Sequence, residues 1–533
     1  MGDRRMDDHD TFSAAALAAP HPLAAAAGRD VLVEGGTVVE AALAAAMVSA
    51  VVVPDRAGLG GDALWMIREP GPRGRVRVLD ARGTVAAAAR LSFFRGRDRD
   101  SIPVHGPEAV LVVPGAVAGW IEVHALSAAS GGRMPVARLL APAIAAARGG
   151  WDLSVPGAEA LARAAPALSA VPGFAAAFLD GGEPPRAGDR RRAAALAATL
   201  DHLADAGLDD AYRGDVAREL AADLDALACP LGRTDLRRAE ARWREPHALD
   251  LGRHALAVPP TRSGLRAAAA LGLVDGLAAA GFDMGGADGF ARWHGLIEAC
   301  RAADAIVADA DAAGRDPADI VDPARLARFS LTLDRGRARP AAAPPAPLLA
   351  EAAAWIGAVD RDGAAVSVVL TAGGPFGSGV VSGRTGILMG NRGAALAVDP
   401  DFGPVLRPGR RVPLASLPVL LGNARDGRVA ALGSVGDHAP AVAAQLADRV
   451  MRGRPAGDAS AAARFALGAT PDGREGAVLV ERDREPGPVA PLRSAGHQVV
   501  EAGGSPVGLA GVALRDGAGR IAAAADGGTV SGL

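Results

Sequence analysis

The residues in this chain that are equipped for chemistry are few and scattered. The glycine cluster Gly58-Leu59-Gly60-Gly61-Asp62 looks like a phosphate cradle. It lacks the strand-then-helix setting and the lysine of a P-loop, so it reads as a tight backbone turn. Cys229, placed before Pro230, and Cys300, inside the helical pattern GLIEACRAADA, are too few for a disulfide framework and read as packing residues. His438 ends the turn Gly433-Ser434-Val435-Gly436-Asp437-His438 and is the one candidate base there; a lone loop histidine reads more simply as a surface group. From Leu333 to Val366 the sequence has no serine, threonine or cysteine, the nearest being Thr332 and Ser367. That stretch therefore holds no nucleophilic hydroxyl or thiol.

The elements that must position these groups belong to a chain of 533 residues, long enough to bury a large core. Half of the residues are hydrophobic but only 3% are aromatic, a composition that favours Ala-rich helices and close backbone packing. All 57 basic residues are arginine; with the Ala, Gly and Pro enrichment this reads as coding bias. The net charge of −3 is spread through the chain without a basic run, which argues against nucleic acid as a partner. The opening MGDRRMDDHDTFSAAALAAPHP is polar and acidic, then broken by Pro20 and Pro22, and makes a poor secretory signal. The apolar run Val38 to Val53 carries Glu40 and is short for a membrane span, so a buried helix stopped by Pro54 is expected. A soluble cytoplasmic protein is the expectation.

Strands are expected at Ala63–Ile67 and Val76–Leu79, an amphipathic helix at Leu139–Ala147 and a long helical region over Arg186–Leu227. The string RGRARPAAAPPAP, Arg335 to Pro347, reads as an exposed linker. Beyond it lie short β runs at Ile356–Val359, Ala365–Leu370, Gly386–Met389, Val429–Gly433 and Ala477–Val480. The expected organisation is a region 1–334, a Pro/Ala-rich linker 335–352 and a region 353–533, in a layered α/β protein.

An ordered set of segments resembles the gamma-glutamyltransferase family of N-terminal-nucleophile hydrolases. HPLAAAAGRDVLVEGGTVVEAALAAAMVSAVVVPDRAGLGGDALWMI (His21 to Ile67) resembles the family's opening helix and glycine loop. VPGAVAGW (Val113 to Trp120), LLAPAIAAARGGWDLS (Leu139 to Ser154), LACPLGRTDLRRAEARWREP (Leu227 to Pro246), VPPTRSGLRA (Val258 to Ala267) and IEACRAADA (Ile297 to Ala305) follow in the family's order. Past the linker, WIGAVDRDGAAVSVVL (Trp355 to Leu370), FGSGVVSGRTGIL (Phe376 to Leu388) and GNRGAALAVDP (Gly390 to Pro400) resemble the small subunit. The Asn-Arg-Gly wording and LRPGRRVPLASLPVL resemble the amidohydrolase-like branch more than the true transferases.

The resemblance implies a four-layer αββα sandwich and a precursor that cuts itself before a threonine, whose hydroxyl then attacks an amide. Counting back from Asp360, the threonine slot falls on Ala353, followed by Ala354. A methyl group cannot attack, so the chain is expected to stay in one piece and to lack the family's covalent chemistry. The resemblance further implies that Arg82 in LDARG grips a substrate carboxylate, as a planar guanidinium suits. It implies that Gly373 stands where transferases place asparagine, and that Arg392 and Ala395 replace the polar and acidic residues that hold the substrate amino group. Ser416 matches one of two family serines, its partner being Ala415. Gly436 and Asp437 match the turn whose N–H groups hold the oxyanion. The expected function is a family protein without covalent activity that binds a small amide or amino-acid-like ligand. The alternatives are an active gamma-glutamyl or amide-hydrolysing enzyme and a different, non-covalent reaction using Arg82, Ser416 or His438. No cofactor or metal is expected, and no membrane partner; a homodimer or pairing with an active paralogue is the expected assembly.

Overall fold

A computed structural model describes residues 11–533 except 287, 341–348, 400–403, 469–475, 483, 485, 486 and 504–506. Residues 341–348 of the expected linker 335–352 thus lie outside the described residues. Two seven-stranded antiparallel sheets lie face to face. The first runs Thr529–Gly532, Ala15–Ala19, Ala352–Asp360, Ala365–Gly373, Asp62–Arg68, Val76–Ala81, Arg242–Arg244. The second runs Thr11–Phe12, Ile521–Ala525, Leu509–Arg515, Arg428–Val435, Leu417–Asn423, His254–Val258, His247–Leu251. Both sheets take strands from both sides of the linker. Helices Pro22–Val33, Val38–Val52 and Ala116–Ala129 cover the outer face of the first sheet, with Val136–Gly149 packed on them, and Arg262–Ala279 and Ala439–Met451 cover the second, with Phe290–Ala312 packed on them. The result is the αββα sandwich expected from the sequence.

The Ala-rich composition has a mechanical role. Helix Val38–Val52 is buried at nearly every position, so small side chains let the flanking helices and the sheet approach its backbone. Its start is fixed by a reciprocal cap: Thr37 Oγ1 accepts from Glu40 N at 3.1 Å, and Thr37 N donates to Glu40 Oε2 at 2.8 Å. Glu40 is therefore the cap of a buried helix. Among the described residues no helix is long and apolar enough to cross a membrane.

The hairpin Ala352–Asp360/Ala365–Gly373 sits at the centre of the first sheet. Its DRDG turn closes because Asp360 Oδ1 accepts from Asp362 N and Ala364 N, both at 2.9 Å, while Gly363 takes φ 81°. Side chains alternate along the first strand: Ala353, Trp355 and Val359 enter the space between the sheets, and Ala354, Ile356 and Ala358 face the helices. The Trp355 indole crosses to the second sheet. A Cβ placed on Gly433 or Gly511 would fall 1.9 Å or 2.1 Å from the ring. Trp355 Nε1 donates to Ser367 Oγ at 2.9 Å, and that hydroxyl donates to Leu432 O at 2.7 Å.

Two sequence expectations need correction, and one strand was not anticipated. Gly386–Met389 forms no strand, only isolated bridges of Leu388 to Val381 and Met389 to Gly60, because Gly386 (φ 69°) turns the chain against helix Ala194–Ala206. The helical region over 186–227 is broken into Ala194–Ala206, Asp210–Arg213 and Asp215–Ala226, with Gly207 (φ 97°) ending the first. The strand Ala15–Ala19, fully buried and paired to the central hairpin, was hidden in a run of alanines with low β propensity.

The chain enters the linker from a buried histidine relay. Arg301 Nη1 donates to His497 Nδ1 at 3.1 Å, His497 Nε2 lies 2.8 Å from His294 Nδ1, and His294 Nε2 lies 2.9 Å from Asp334 O. This pattern uses each ring as a neutral imidazole with one donor and one acceptor. Burial, then the Arg301 and His294 neighbours, push His497 down to about 3.

Two outcomes follow. Gly433→Ala overpacks the inter-sheet ring contact and lowers stability by about 1–3 kcal/mol, read from the urea midpoint; an unchanged midpoint contradicts the contact. An unfolded histidine takes its proton near pH 6.5, whereas folded His497 refuses it until about 3. Stability is therefore lost as pH falls below about 6.5, and His497→Gln flattens the dependence of melting temperature on pH in that window. Identical slopes for the two proteins would show that His497 does not carry it.

Candidate functional site

Ala353 opens the central hairpin at a β-bulge: Ala352 pairs with Gly373 and Ala353 with Thr371. Bulges re-aim side chains and recur beside active sites. Ala353 is buried, and beside it lies a cavity of about 20 Å³ lined by Pro20, Arg56, Trp355, Val435 and Asp526, among others. That space holds about one water molecule. The Thr371 hydroxyl is close but committed, donating to Ala352 O at 2.7 Å and accepting from Gly373 N at 2.9 Å.

Glu351, two residues before Ala353, reaches into the segment that contains Ser416. Its Oε2 accepts from Ala415 N at 3.0 Å and its Oε1 from Ser416 N at 3.1 Å. Ser416 Oγ accepts from Gly436 N at 2.9 Å, and its hydroxyl is close enough to favour the ionised form of Glu351. Glu351 N donates to Asp437 Oδ1 at 3.2 Å. Burial pushes the Glu351 carboxyl above the usual range, and Arg392, the Ser416 hydroxyl and the two N–H groups pull it back. Burial also raises Asp437.

Arg392 stands in the short 3₁₀ turn Arg392–Ala395 and is almost wholly buried. Its Nη2 donates to Val412 O at 2.7 Å and to Pro413 O, and its Nε lies 3.2 Å from Asp62 Oδ2. Its Nη1 is buried without a hydrogen-bond partner. Asp62 Oδ1 accepts from Gly83 N at 2.8 Å and Gly115 N at 3.1 Å. Burial pushes Asp62 up against the pull of Arg392. The glycines before Asp62 permit close backbone packing: a Cβ at Gly60 would fall 2.1 Å from Leu388 O and one at Gly61 2.3 Å from Thr371 O.

The structure thus brings Ala353, Arg392, Ser416, Gly436 and Asp437 into one neighbourhood, with Gly373 at its edge. Gly373 takes φ 103°, and a Cβ there would meet Asn391 Oδ1 at 2.2 Å. Asn391 instead accepts from Gly374 N at 2.8 Å and donates to Val104 O at 2.8 Å. Gly436 has φ 100°, so the turn keeps its glycine geometry without a second glycine. Arg82 is otherwise engaged. Its Nε and Nη2 donate to the two oxygens of Asp80, each at 2.8 Å, and Nη1 donates to Val412 O at 3.3 Å. Burial pushes Asp80 up, but Arg82 and Arg411 outweigh it and hold the carboxyl low. The guanidinium facing Glu351 is Arg392. His438 caps helix Ala439–Met451 and packs beside Gly468, where burial lowers its pKa. Cys300 is buried, and burial pushes Cys229 up to about 12, so neither favours a thiolate. Among the described residues no group of three or more His, Cys, Asp or Glu is placed to hold a metal ion.

The family profile described as Gamma-glutamyltranspeptidase matches residues 24–531. The chain belongs to the gamma-glutamyltranspeptidase family. It is 37% identical over 490 residues to the Oxamate amidohydrolase proenzyme of Klebsiella pneumoniae, covering 90% of each chain. It is 28% identical over 417 residues to the Glutathione hydrolase-like YwrD proenzyme of Bacillus subtilis, covering 76% of this chain and 75% of that one. In fold it matches the crystal structure of cephalosporin acylase from Bacillus halodurans with a TM-score of 0.85 at 24% identity, over 100% of this chain and 98% of the other.

Two site residues escaped the family reading. Asp62 belonged to a cluster read as a turn; its signal was an acid opening the otherwise apolar strand Asp62–Arg68. Glu351 stood among alanines, and nothing local tells that its partners lie 64 and 65 residues on. Ser416→Ala removes the acceptor of Gly436 N–H, and is expected to cost about 1–3 kcal/mol in urea unfolding. A neutral result would remove Ser416 from the network.

Proposed function

We propose that this gamma-glutamyltranspeptidase-family chain remains unprocessed, lacks the family's covalent amide hydrolysis and transfer, and binds a small carboxylate-bearing amide or amino-acid-like ligand. The observation that carries this reading is the methyl side chain of Ala353 at the bulge that opens the central hairpin. Self-cleavage and acyl transfer by the family's route need a hydroxyl there. The 333–366 stretch supplies none, and Thr371 holds both of its local hydrogen bonds.

The ligand class follows from the charges around Arg392. A buried guanidinium with an unpartnered Nη1, next to two backbone N–H groups and a hydroxyl, favours a carboxylate. Oxamate, named in the 37% identical relative, joins a carboxylate to an amide and satisfies that preference. Gamma-glutamyl compounds, glutathione among them, also carry an ammonium, and Ala395 offers it no acid.

The second reading is an active amide hydrolase working through another group, favoured by the 37% identity to an amidohydrolase across 90% of both chains. The test is direct. The purified chain should run as one band and give an intact mass. It should release neither ammonia from oxamate nor p-nitroaniline from a gamma-glutamyl p-nitroanilide, and Ala353→Thr should restore processing or turnover. A native polypeptide beginning at residue 353, or turnover by the unaltered chain, would overturn the first reading in favour of the second.

A further inference from the structure

We infer that Glu351 is a tethered ligand: its carboxylate fills the carboxylate cradle of the site, so the chain is closed by its own side chain and opens to a small free carboxylate only when Glu351 leaves. This deepens the proposed binding function and rests on it.

The cradle is built for a two-oxygen anion. Ala415 N–H and Ser416 N–H are consecutive and point to different oxygens, at 3.0 and 3.1 Å. The Ser416 hydroxyl lies beside them and is held by Gly436 N–H, which it accepts at 2.9 Å. The buried Arg392 guanidinium, ion-paired to Asp62, adds positive charge to the neighbourhood without pairing directly with Glu351. Such an arrangement recognises a carboxylate by paired hydrogen bonds and charge.

Glu351 also closes the other wall. Its backbone N–H donates to Asp437 Oδ1 at 3.2 Å, which ties the start of the hairpin to the 436–437 turn. One residue therefore engages Ser416 and Asp437, while Ser416 engages Gly436. Of the residues expected to hold a substrate, Ser416, Gly436 and Asp437 are thus joined through Glu351.

The tether sets the competition. A carboxylate fixed one residue before a sheet strand acts at an effective concentration on the order of millimolar or more. A free carboxylate must exceed that level to displace it. Removing the side chain while keeping Ala415, Ser416 and Arg392 should therefore expose the cradle.

The experiment is titration calorimetry of the full chain with acetate, with acetamide as the uncharged control. Glu351→Ala should bind acetate about tenfold or more tighter than the wild type, and acetamide not at all. Glu351→Gln, close in size and able to occupy the same space as a weaker, neutral occupant, should lie between them. It also carries the test if the alanine variant does not fold. Adding Arg392→Met to Glu351→Ala should abolish the gain. Equal acetate binding by wild type and both variants, or none by a folded variant, overturns the inference. Both readouts are of binding, so processing at residue 353 or amide turnover would sink the proposed function without moving this result.

Discussion

The molecule depends on the Trp355 indole lying flat between two sheets. Sheets packed face to face normally stand about 10 Å apart and fill the gap with side chains from both. Here one large ring from the first sheet fills space that Gly433 and Gly511 leave open on the second, and its N–H is fixed through Ser367 to Leu432 O. Aromatic side chains are scarce in this chain, so this ring has few substitutes. Because Trp355 follows Ala353 by two residues on the same strand face, the contact that locks the sheets together also fixes the start of the hairpin. The site is thus referenced to the most constrained part of the core.

From that anchored strand, charge is arranged in depth. Asp62, Arg392 and Glu351 alternate in sign across elements far apart in sequence; Asp62 and Arg392 are buried and Glu351 is half-buried. An isolated buried charge is expensive, so such groups persist where partners and backbone dipoles offset the loss of water. Asp62 is held by Gly83 and Gly115 N–H groups, Arg392 by the Val412 and Pro413 carbonyls, and Glu351 by Ala415 and Ser416 N–H groups. Backbone groups do most of the holding. This explains how a chain that departs from the family pattern at Ala353, Gly373, Ala395 and Ala415 can still form the site: a backbone donor survives substitution of the side chain it belongs to.

Much of the fold was legible. Periodicity and breakers gave the helix at Val38–Val52, the strands at Asp62–Arg68 and Val76–Ala81, and the central hairpin. The Ala15–Ala19 strand was not, because alanine has no preference for a pleated surface and becomes a strand there only by pairing with the hairpin and with Thr529–Gly532. The site was legible as a set of positions. Ala353, Arg392, Ser416, Gly436 and Asp437 lie in one neighbourhood, and Arg82, just past its strand, is bound to Asp80 two residues earlier while sharing the Val412 carbonyl with Arg392. A guanidinium takes the nearest well-placed carboxylate, and only the register of a strand decides which one that is.

By itself the sequence determined two things: family membership, through many short segments in a fixed order, and the absence of any serine, threonine or cysteine from 333 to 366. The tertiary structure alone decided how the remaining groups are used. Hydrogen bonds reach only about 3 Å, so a donor's partner is set by which backbones meet in space, not by spacing along the chain. That Glu351 would meet Ala415 and Ser416, that Asp62 would face Arg392, and that the room beside Ala353 would shrink to about 20 Å³ are consequences of how two sheets close on one tryptophan.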